Sequence, residues 1–272
     1  MTLTSKEDKM EKLENLRIAI RDMIKPYSTP VCISLLKKDD EVPPKAKKPA
    51  EFFGHRMAVC QGVGFARKYG WSMVFTAKDL ACGPCLSYFG LVERPQFEVE
   101  GGLVHPLYTK TLEQGKKSED AIDKLPFGTI DKILIEPIDK ATRVPDMVLI
   151  YGNAAQMARL IQGALFNQGG ALYPKFTGRC ACSPEMVTPF LTGEYNVSIP
   201  DAGERMFALT ADDEIVFTIP YAKIDDIVDG ITITHKTGIA RFPFPVYGLR
   251  MEPKFPDHYY QIVDLTKDEG EE

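Results

Sequence analysis

The sequence has no long hydrophobic run, although 44% of its residues are hydrophobic. A helix that crosses a bilayer needs about 20 consecutive apolar residues, and a secretory signal needs an apolar core behind a basic start. The opening segment, MTLTSKEDKMEKLENL, is mostly polar. We therefore expect a cytoplasmic protein with no membrane partner.

A surplus of basic residues is also missing, because 33 Lys and Arg face 38 Asp and Glu, for a net charge of −5. Nucleic-acid binding normally needs a clustered basic face. The basic run at 45–48 is interleaved with prolines, which prevent a basic helix or strand and favour a solvated loop. We expect no nucleic-acid partner.

The common catalytic signatures are absent as well. The four histidines are scattered and suggest no hydrolase triad, and the segment 152–159 lacks the glycines of a dinucleotide or phosphate loop. The six cysteines remain. Since thiols stay reduced in the cytoplasm, these cysteines are expected to be core residues, metal ligands or redox groups rather than a disulfide framework.

Hydrophobic periodicity predicts a single mixed α/β domain over 1–272, because no low-complexity linker divides the chain. Apolar residues spaced by three or four predict helices, and short apolar runs bounded by Pro or Gly predict strands. Residues 205–209 and 214–219 are predicted to be paired strands, and the tail 236–272 is predicted to wrap the surface without a helix. The other predicted helices are 5–26, 55–69, 86–90, 153–168, 186–193 and 223–230, and the other predicted strands are 31–36, 71–76, 146–151 and 171–177.

The order of these elements indicates an internal repeat, with units at about 28–130 and 131–235. Each unit is predicted to contain strand, helix, strand, cysteine turn and helix. Gly70 precedes Cys82 by 12 residues, and Gly170 precedes Cys182 by the same number. If the repeat is real, these two cysteines should occupy equivalent positions and face one another in a pocket between the units.

Two cysteine pairs are the strongest functional feature. Cys82 and Cys85 form a CxxC motif, and Cys180 and Cys182 form a CxC motif. Both pairs follow a predicted strand and precede a predicted helix, where free N–H groups favour thiolates. Cys60, on the preceding helix, completes a set of five metal-ligand candidates, whereas Cys32 lies mid-strand and is expected to be core.

Four interpretations of these cysteines stay open. An iron–sulfur cluster, such as a four-iron, four-sulfur cluster with one open iron, would serve a small-molecule substrate or an electron-transfer partner. A structural zinc site is the second interpretation. A thioredoxin-like dithiol at Cys82 and Cys85 is the third. In the fourth, the thiols are buried core of a non-enzymatic binding or accessory module.

Polar side chains near these motifs are weaker candidates. His55 is a candidate acid–base group, and Arg56 and Arg67, which flank the Cys60 helix, are candidate cofactor-binding residues. Arg179 adjoins the CxC motif and is a candidate for binding an anionic substrate or tuning a cluster. His105 precedes a proline in a loop and is expected to be incidental.

Several motifs together resemble domain-of-unknown-function family 169, which is common in anaerobic bacteria and archaea. The resemblance covers roughly residues 10–250 and rests on short segments at 56–61, 79–83, 145–153, 182–193, 212–220 and 234–243. It implies that Cys60, Cys82 and Cys182 fall on recurrent cysteine positions, whereas Cys85 and Cys180 are additions. Many relatives carry a further cysteine near the position of Pro200. The family implies no established reaction.

Overall fold

The computed structural model describes residues 6–238, 241–243 and 254–265. The chain forms two compact units, Met1–Phe242 and Pro243–Glu272. The second unit contains one described helix, Asp257–Asp264, and all other described elements belong to the first. The predicted mixed α/β class is confirmed.

The first unit is built on a six-stranded antiparallel sheet. Its strand order is β2-β3-β1-β4-β6-β5, so β1 and β4 lie side by side in the centre. All six residues of β1 are buried, as expected for a strand covered on both faces. The strands are β1 (Val31–Leu36), β2 (Met73–Phe75), β3 (Lys132–Pro137), β4 (Met147–Gly152), β5 (Asn196–Ser198) and β6 (Ile215–Pro220).

Eleven α-helices are present in the described residues. Several ends of the longer helices coincide with capping residues or glycines. Asn153 accepts hydrogen bonds from two backbone N–H groups at the start of α7, and Gly70, with φ of 68°, ends α3. The helices are α1 (Lys6–Ala19), α2 (Pro49–Phe52), α3 (Val59–Tyr69), α4 (Gly83–Tyr88), α5 (Gln96–Val99), α6 (Leu112–Ala121), α7 (Ala154–Leu165), α8 (Thr188–Thr192), α9 (Ala202–Phe207), α10 (Ile224–Lys236) and α11 (Asp257–Asp264).

Helices cover both faces of the sheet, because alternate residues of each strand point to opposite faces. Val31 and Ile33 pack with α3, α4 and the segment after Cys182. Cys32, between them, packs instead with α1, α7 and α10. Cys32 is therefore a core residue on the face opposite to the other cysteines.

The internal repeat is not confirmed in its predicted form. No strand forms at 171–177, and the corresponding edge strand is β5, which follows Cys182 in the chain. Cys82 follows β2, so the two cysteines do not occupy equivalent positions. The two halves of the sheet do share an order of strands. From the centre to the edge, one half has the order β1-β3-β2 and the other has the order β4-β6-β5.

Three further predictions differ from the structure. Residues 202–207 form α9 rather than a strand, because Asp201 accepts a hydrogen bond from the N–H of Glu204 and caps a helix. Strand β3 was not predicted at all. Helix α11 lies within the tail predicted to have no helix, while most of the remaining tail lies outside the described residues.

None of the helices in the described part of the chain combines the length and apolar character that a membrane span requires.

Candidate functional site

Five of the six cysteines line one pocket of about 480 Å³. They come from three segments of the chain: the first turn of α3, the start of α4, and the CxC turn before α8. All are free thiols. The pocket is lined by His55, Arg56, Ala58, Cys60, Gln61, Ala81, Cys82, Cys85, Tyr88, Phe89, Cys180, Cys182, Ser183, Asp201, Gly203 and Phe207.

Backbone hydrogen bonds bring Cys60 and Cys82 together. The segment before α3 pairs with the segment before α4, because the N–H of Ala81 donates to the carbonyl of Met57 at 2.9 Å. The N–H of Met57 donates to the carbonyl of Asp79, also at 2.9 Å. Each cysteine begins a helix shortly after this pairing, so both thiols reach the same pocket.

The CxC turn is held in an unusual backbone conformation. Cys180 has φ of 55°, a left-handed value that is uncommon for a residue other than glycine. The N–H of Ala181 donates to the carboxylate of Asp201 at 3.0 Å, which anchors the turn to the start of α9. A π-helical turn, Ser183–Val187, follows Cys182 directly. Strained backbone and π-turns both concentrate at functional sites.

The Cys85 thiol connects the two cysteine motifs. It lies in hydrogen-bonding contact with the sulfurs of Cys82 and Cys182. Hydrogen bonds from the side chain and the backbone N–H of Cys85 lower the pKa of Cys82 to about 7. Because Cys85 gives its proton to these contacts, first to Cys182, and is also buried, its own pKa is raised well above the ordinary value. Cys82 is therefore the thiol most easily ionised.

Burial keeps the other pocket thiols protonated. It raises the pKa of Cys60 far above the usual range, and nearby Cys182 raises it further. It also raises the pKa of Cys180 to about 12. The hydrogen bond from Cys85 lowers the pKa of Cys182, but burial and the carboxylates of Glu204 and Asp201 outweigh it, so the net shift is upward.

A buried network of charged and polar side chains lies behind Cys180. Arg179 is the one member of this network that the sequence analysis named as a candidate. The Arg179 guanidinium donates to the Cys180 sulfur at 3.1 Å and to the Tyr88 hydroxyl at 3.0 Å, and it forms an ion pair with Glu119. The Tyr88 hydroxyl donates to the same Glu119 carboxylate at 2.9 Å. Glu119 is fully buried. This network fixes a positive charge against the sulfur of Cys180.

Two buried carboxyl groups beside the pocket were also missed. Glu185 and Glu204 contact each other, and burial raises the pKa of Glu204 to about 7 and that of Glu185 further. The Tyr151 hydroxyl donates to Glu204 at 3.2 Å. Two carboxylates in contact cannot both ionise, so the pair holds a proton near neutral pH. No sequence motif marks this pair.

The remaining sequence candidates separate into two groups. His55 and Arg56 lie at the pocket with exposed side chains. Arg67 does not line the pocket: its guanidinium forms two hydrogen bonds with Glu214, at 2.7 and 2.8 Å, and stacks on Tyr151. Its role is therefore to join α3 to the turn before β6. His105 lies in a separate loop, where its Nδ1 contacts the carbonyl of Thr109.

The donors around the pocket, which all belong to the part of the chain that the structure describes, do not form a ready site for a single metal ion. Within the described residues, no three His, Cys, Asp or Glu side chains converge as a ready site for a single ion. Cysteines that hold a cluster bind different iron atoms, so their sulfurs need not meet at one point. The soft thiol donors around the pocket fit the chemistry of an iron–sulfur cluster.

Comparison with known proteins confirms the family resemblance. A family model described as "Uncharacterised ArCR", DUF169, matches residues 19–230. An uncharacterized protein of Methanocaldococcus jannaschii is 25% identical over 204 residues, which cover 74% of this chain and 85% of that protein. No solved structure matches the chain.

Proposed function

The chain belongs to domain-of-unknown-function family 169, and we propose that it binds an iron–sulfur cluster in its cysteine pocket. One observation carries the proposal: five thiols from three distant segments line a single pocket. Core packing alone gives no reason for so many thiols to gather at one opening. The sixth cysteine, Cys32, is buried on the other face of the sheet.

Cys60, Cys82 and Cys182 are the proposed ligands, with Cys85 and Cys180 beside them. The raised pKa values of Cys60 and Cys182 support this assignment, because contacts within the protein do not offset the full cost of burying their thiolates. Metal binding releases the thiol protons and supplies the missing positive charge. The pocket is thus better matched to thiolates bound to iron than to free thiolates.

Three ligands on a four-iron cluster leave one iron open, and an open iron supplies Lewis-acid chemistry to a bound substrate. The pocket volume, about 480 Å³, lies within the range of small-molecule sites. Arg56 and His55 are placed at the pocket to orient an anionic group of a small substrate. Arg179 holds its positive charge against Cys180. If no substrate binds, the same cluster would exchange electrons with an electron-transfer partner.

The proposal fits a cytoplasmic protein of an anaerobic organism, because exposed clusters and free thiols survive best where oxygen is scarce. With an open iron, the protein would act as an enzyme of anaerobic metabolism. A non-enzymatic accessory role for the same cysteines is the competing outcome of the test below.

Serine variants of single cysteines test the proposal. Cys182→Ser is expected to reduce the iron and sulfide bound after anaerobic reconstitution by at least half, while the metal-free protein keeps its fold by circular dichroism. Cys32→Ser is the matched control, because Cys32 is also buried but lies on the opposite face of the sheet. Equal iron content in both variants would reject the assignment. If Cys182→Ser fails to fold while Cys32→Ser folds, and the wild-type protein contains zinc, a structural zinc site would be favoured.

A second function is favoured by the lowered pKa of Cys82. A partly exposed cysteine with a pKa of about 7, hydrogen-bonded to a buried partner, is the arrangement of a dithiol reductant. The Cys82 thiolate would attack a disulfide substrate and release one thiolate. Cys85 would then close the Cys82–Cys85 disulfide and release the second, so two electrons pass to the substrate.

Alkylation and mass mapping under a defined redox poise test this second function. A reversible Cys82–Cys85 disulfide, formed without oxidation of Cys180 or Cys182, would support it. If the pair remains reduced in the presence of excess disulfide, the dithiol function is rejected.

A further inference from the structure

A second and larger depression lies apart from the cysteine pocket. This groove, of about 1060 Å³, is formed by the proline-rich segment 42–48, the short helix α2, the turn at Gly70–Ser72, and two residues beyond β3, Lys140 and Thr142. It shares no lining residue with the cysteine pocket. The proline-rich segment 42–48 therefore forms a wall of a site that is separate from the cysteine pocket.

The wall of this groove is positively charged in a protein whose net charge is −5. Lys45, Lys47, Lys48 and Lys140 all line it. Lys48 lies 3.6 Å from the carboxylate of Glu51, but Lys45, Lys47 and Lys140 have no carboxylate within ion-pair distance among the described residues. Three uncompensated ammonium groups at one groove match an anionic ligand.

The floor of the groove is aromatic. Trp71 stacks on Phe65 with ring centroids 5.2 Å apart and meets the edge of Phe52 at 6.0 Å. Phe52 is 52% exposed. The Lys47 ammonium lies 3.6 Å from the Phe52 centroid and 4.8 Å from the Trp71 centroid. The Lys47 ammonium thus lies over one face of the Phe52 ring.

Backbone hydrogen bonds hold these groups in place. The N–H of Lys47 donates to the carbonyl of Ser72 at 2.9 Å, and the N–H of Val74 donates to the carbonyl of Lys47 at 3.0 Å. Segment 42–48 is thereby attached to the edge of β2. Lys140 donates to the carbonyl of Gly70 at 2.7 Å. The charged wall is therefore attached to the sheet, and the ligand site is largely preformed.

We propose that this groove binds a nucleoside phosphate. A flat base would stack on the face of the Phe52 ring that Lys47 does not cover, since every base offers a π-face to an aromatic side chain. The phosphates would lie against Lys45, Lys47 and Lys140, because ammonium groups bind phosphate as point charges. The volume, about 1060 Å³, accommodates a ligand of this size. This inference does not depend on the cluster in the cysteine pocket.

Trp71 is the single tryptophan of the chain and reports on the groove directly. Titration of the full-length protein with ATP is expected to change Trp71 fluorescence in a saturable manner. Lys47→Ala should raise the dissociation constant roughly tenfold, as expected from loss of a charge-assisted contact. Lys117→Ala is the matched control, because it removes the same charge from an exposed position on α6, outside the groove.

Phe52→Leu separates stacking from charge. This variant should weaken ATP binding several-fold and leave the binding of inorganic tripolyphosphate unchanged. The proposal is overturned if ATP causes no saturable change in the wild type, or if Lys117→Ala weakens binding as much as Lys47→Ala. It is also overturned if ATP and tripolyphosphate bind equally well and Phe52→Leu affects neither, because the groove would then be only a polyanion patch.

Discussion

At the scale of single residues, the five pocket thiols differ in how readily they ionise. Cys82 has a pKa of about 7, while that of Cys180 is about 12. Only thiolates react readily with alkylating agents. We therefore expect iodoacetamide to modify Cys82 first in the metal-free protein, with a rate that reaches half its maximum near pH 7. Peptide mass mapping across a pH series measures this rate for each cysteine.

The Cys85→Ala variant tests the cause of this difference. Removing the thiol that donates to Cys82 should move the midpoint for Cys82 alkylation upward, toward the ordinary cysteine pKa of about 8.5. Cys32→Ala, on the other face of the sheet, should leave the midpoint unchanged. An unchanged midpoint in Cys85→Ala would show that the hydrogen bond does not set the reactivity of Cys82.

Arg67 is expected to contribute to stability rather than to cofactor binding. Its side chain is fully buried and paired with Glu214. Arg67→Met removes the buried guanidinium that makes two hydrogen bonds to Glu214, which should lower the free energy of unfolding by about 3–5 kcal/mol. Urea denaturation measures the change. Arg21→Met is the control, since the pair of Arg21 with Asp22 is exposed and its loss should leave the urea midpoint nearly unchanged.

The same pair gives a pH dependence with a definite sign. Burial alone would raise the pKa of Glu214, but hydrogen bonds from Arg67 and from the N–H of Ala211 lower it below the ordinary value. A lowered carboxyl pKa stabilises the fold above the unfolded pKa of about 4.3, and this contribution is lost as pH falls through the folded pKa. The free energy of unfolding of Arg67→Met should therefore fall less than that of the wild type between about pH 5 and pH 3. Urea denaturation of both proteins at about these two pH values measures the difference.

The residue types of the site could be predicted from sequence, but several of its contacts could not. The CxxC and CxC motifs identified four of the pocket cysteines, and Cys60 was added from its helix. Arg67 was misplaced because a sequence does not show which face of α3 an arginine occupies. Glu119 and Glu185 were missed because each becomes part of the site only through long-range packing.

At the scale of elements, α7 and α10 cross at two glycines. A Cβ atom at Gly230 would lie 2.0 Å from the carbonyl oxygen of Gly163. Gly230→Ala should therefore force the helices apart and cost about 1–3 kcal/mol of stability. Gly83→Ala is the control, because nothing lies within 4 Å of a Cβ there. Equal urea midpoints for both variants would contradict this close crossing.

Elements with strong local signals were predicted well. Strand β1 has the predicted bounds, α3 ends at Gly70 as predicted, and α7 begins after Asn153 as predicted. Residues 171–177 were predicted to be a strand because of their apolar content, but they find no partner in the sheet. Helix α9 could have been recognised from Asp201 followed by Glu204, a capping pattern.

At the scale of the whole molecule, the first unit contains the complete sheet and both main core clusters. We expect a chain ending at Phe242 to unfold cooperatively, with the same order of cysteine reactivity as the full chain. Circular dichroism during urea unfolding, combined with alkylation, measures both properties. Aggregation of the truncated chain, or a changed order of reactivity, would show that the first unit does not fold independently.

Sequence patterns did not predict the order of the strands in the sheet. A spacing of 12 residues suggested equivalent cysteines, yet Cys82 follows an edge strand and Cys182 precedes one. Both nevertheless reach one pocket, because α3, α4 and the segment after Cys182 all lie on the same face of the sheet. Convergence of the cysteines therefore depends on which face each segment covers, and not on repeat symmetry.

Iron and acid-labile sulfide in anaerobically purified protein test the central claim most directly. The proposed cluster predicts a brown protein with about four iron and four sulfide per chain after reconstitution. It also predicts that Cys60→Ser, Cys82→Ser and Cys182→Ser each lose most of this iron while Cys32→Ser retains it. A colourless wild-type protein that binds no iron, even after anaerobic reconstitution with iron and sulfide, would contradict the proposal.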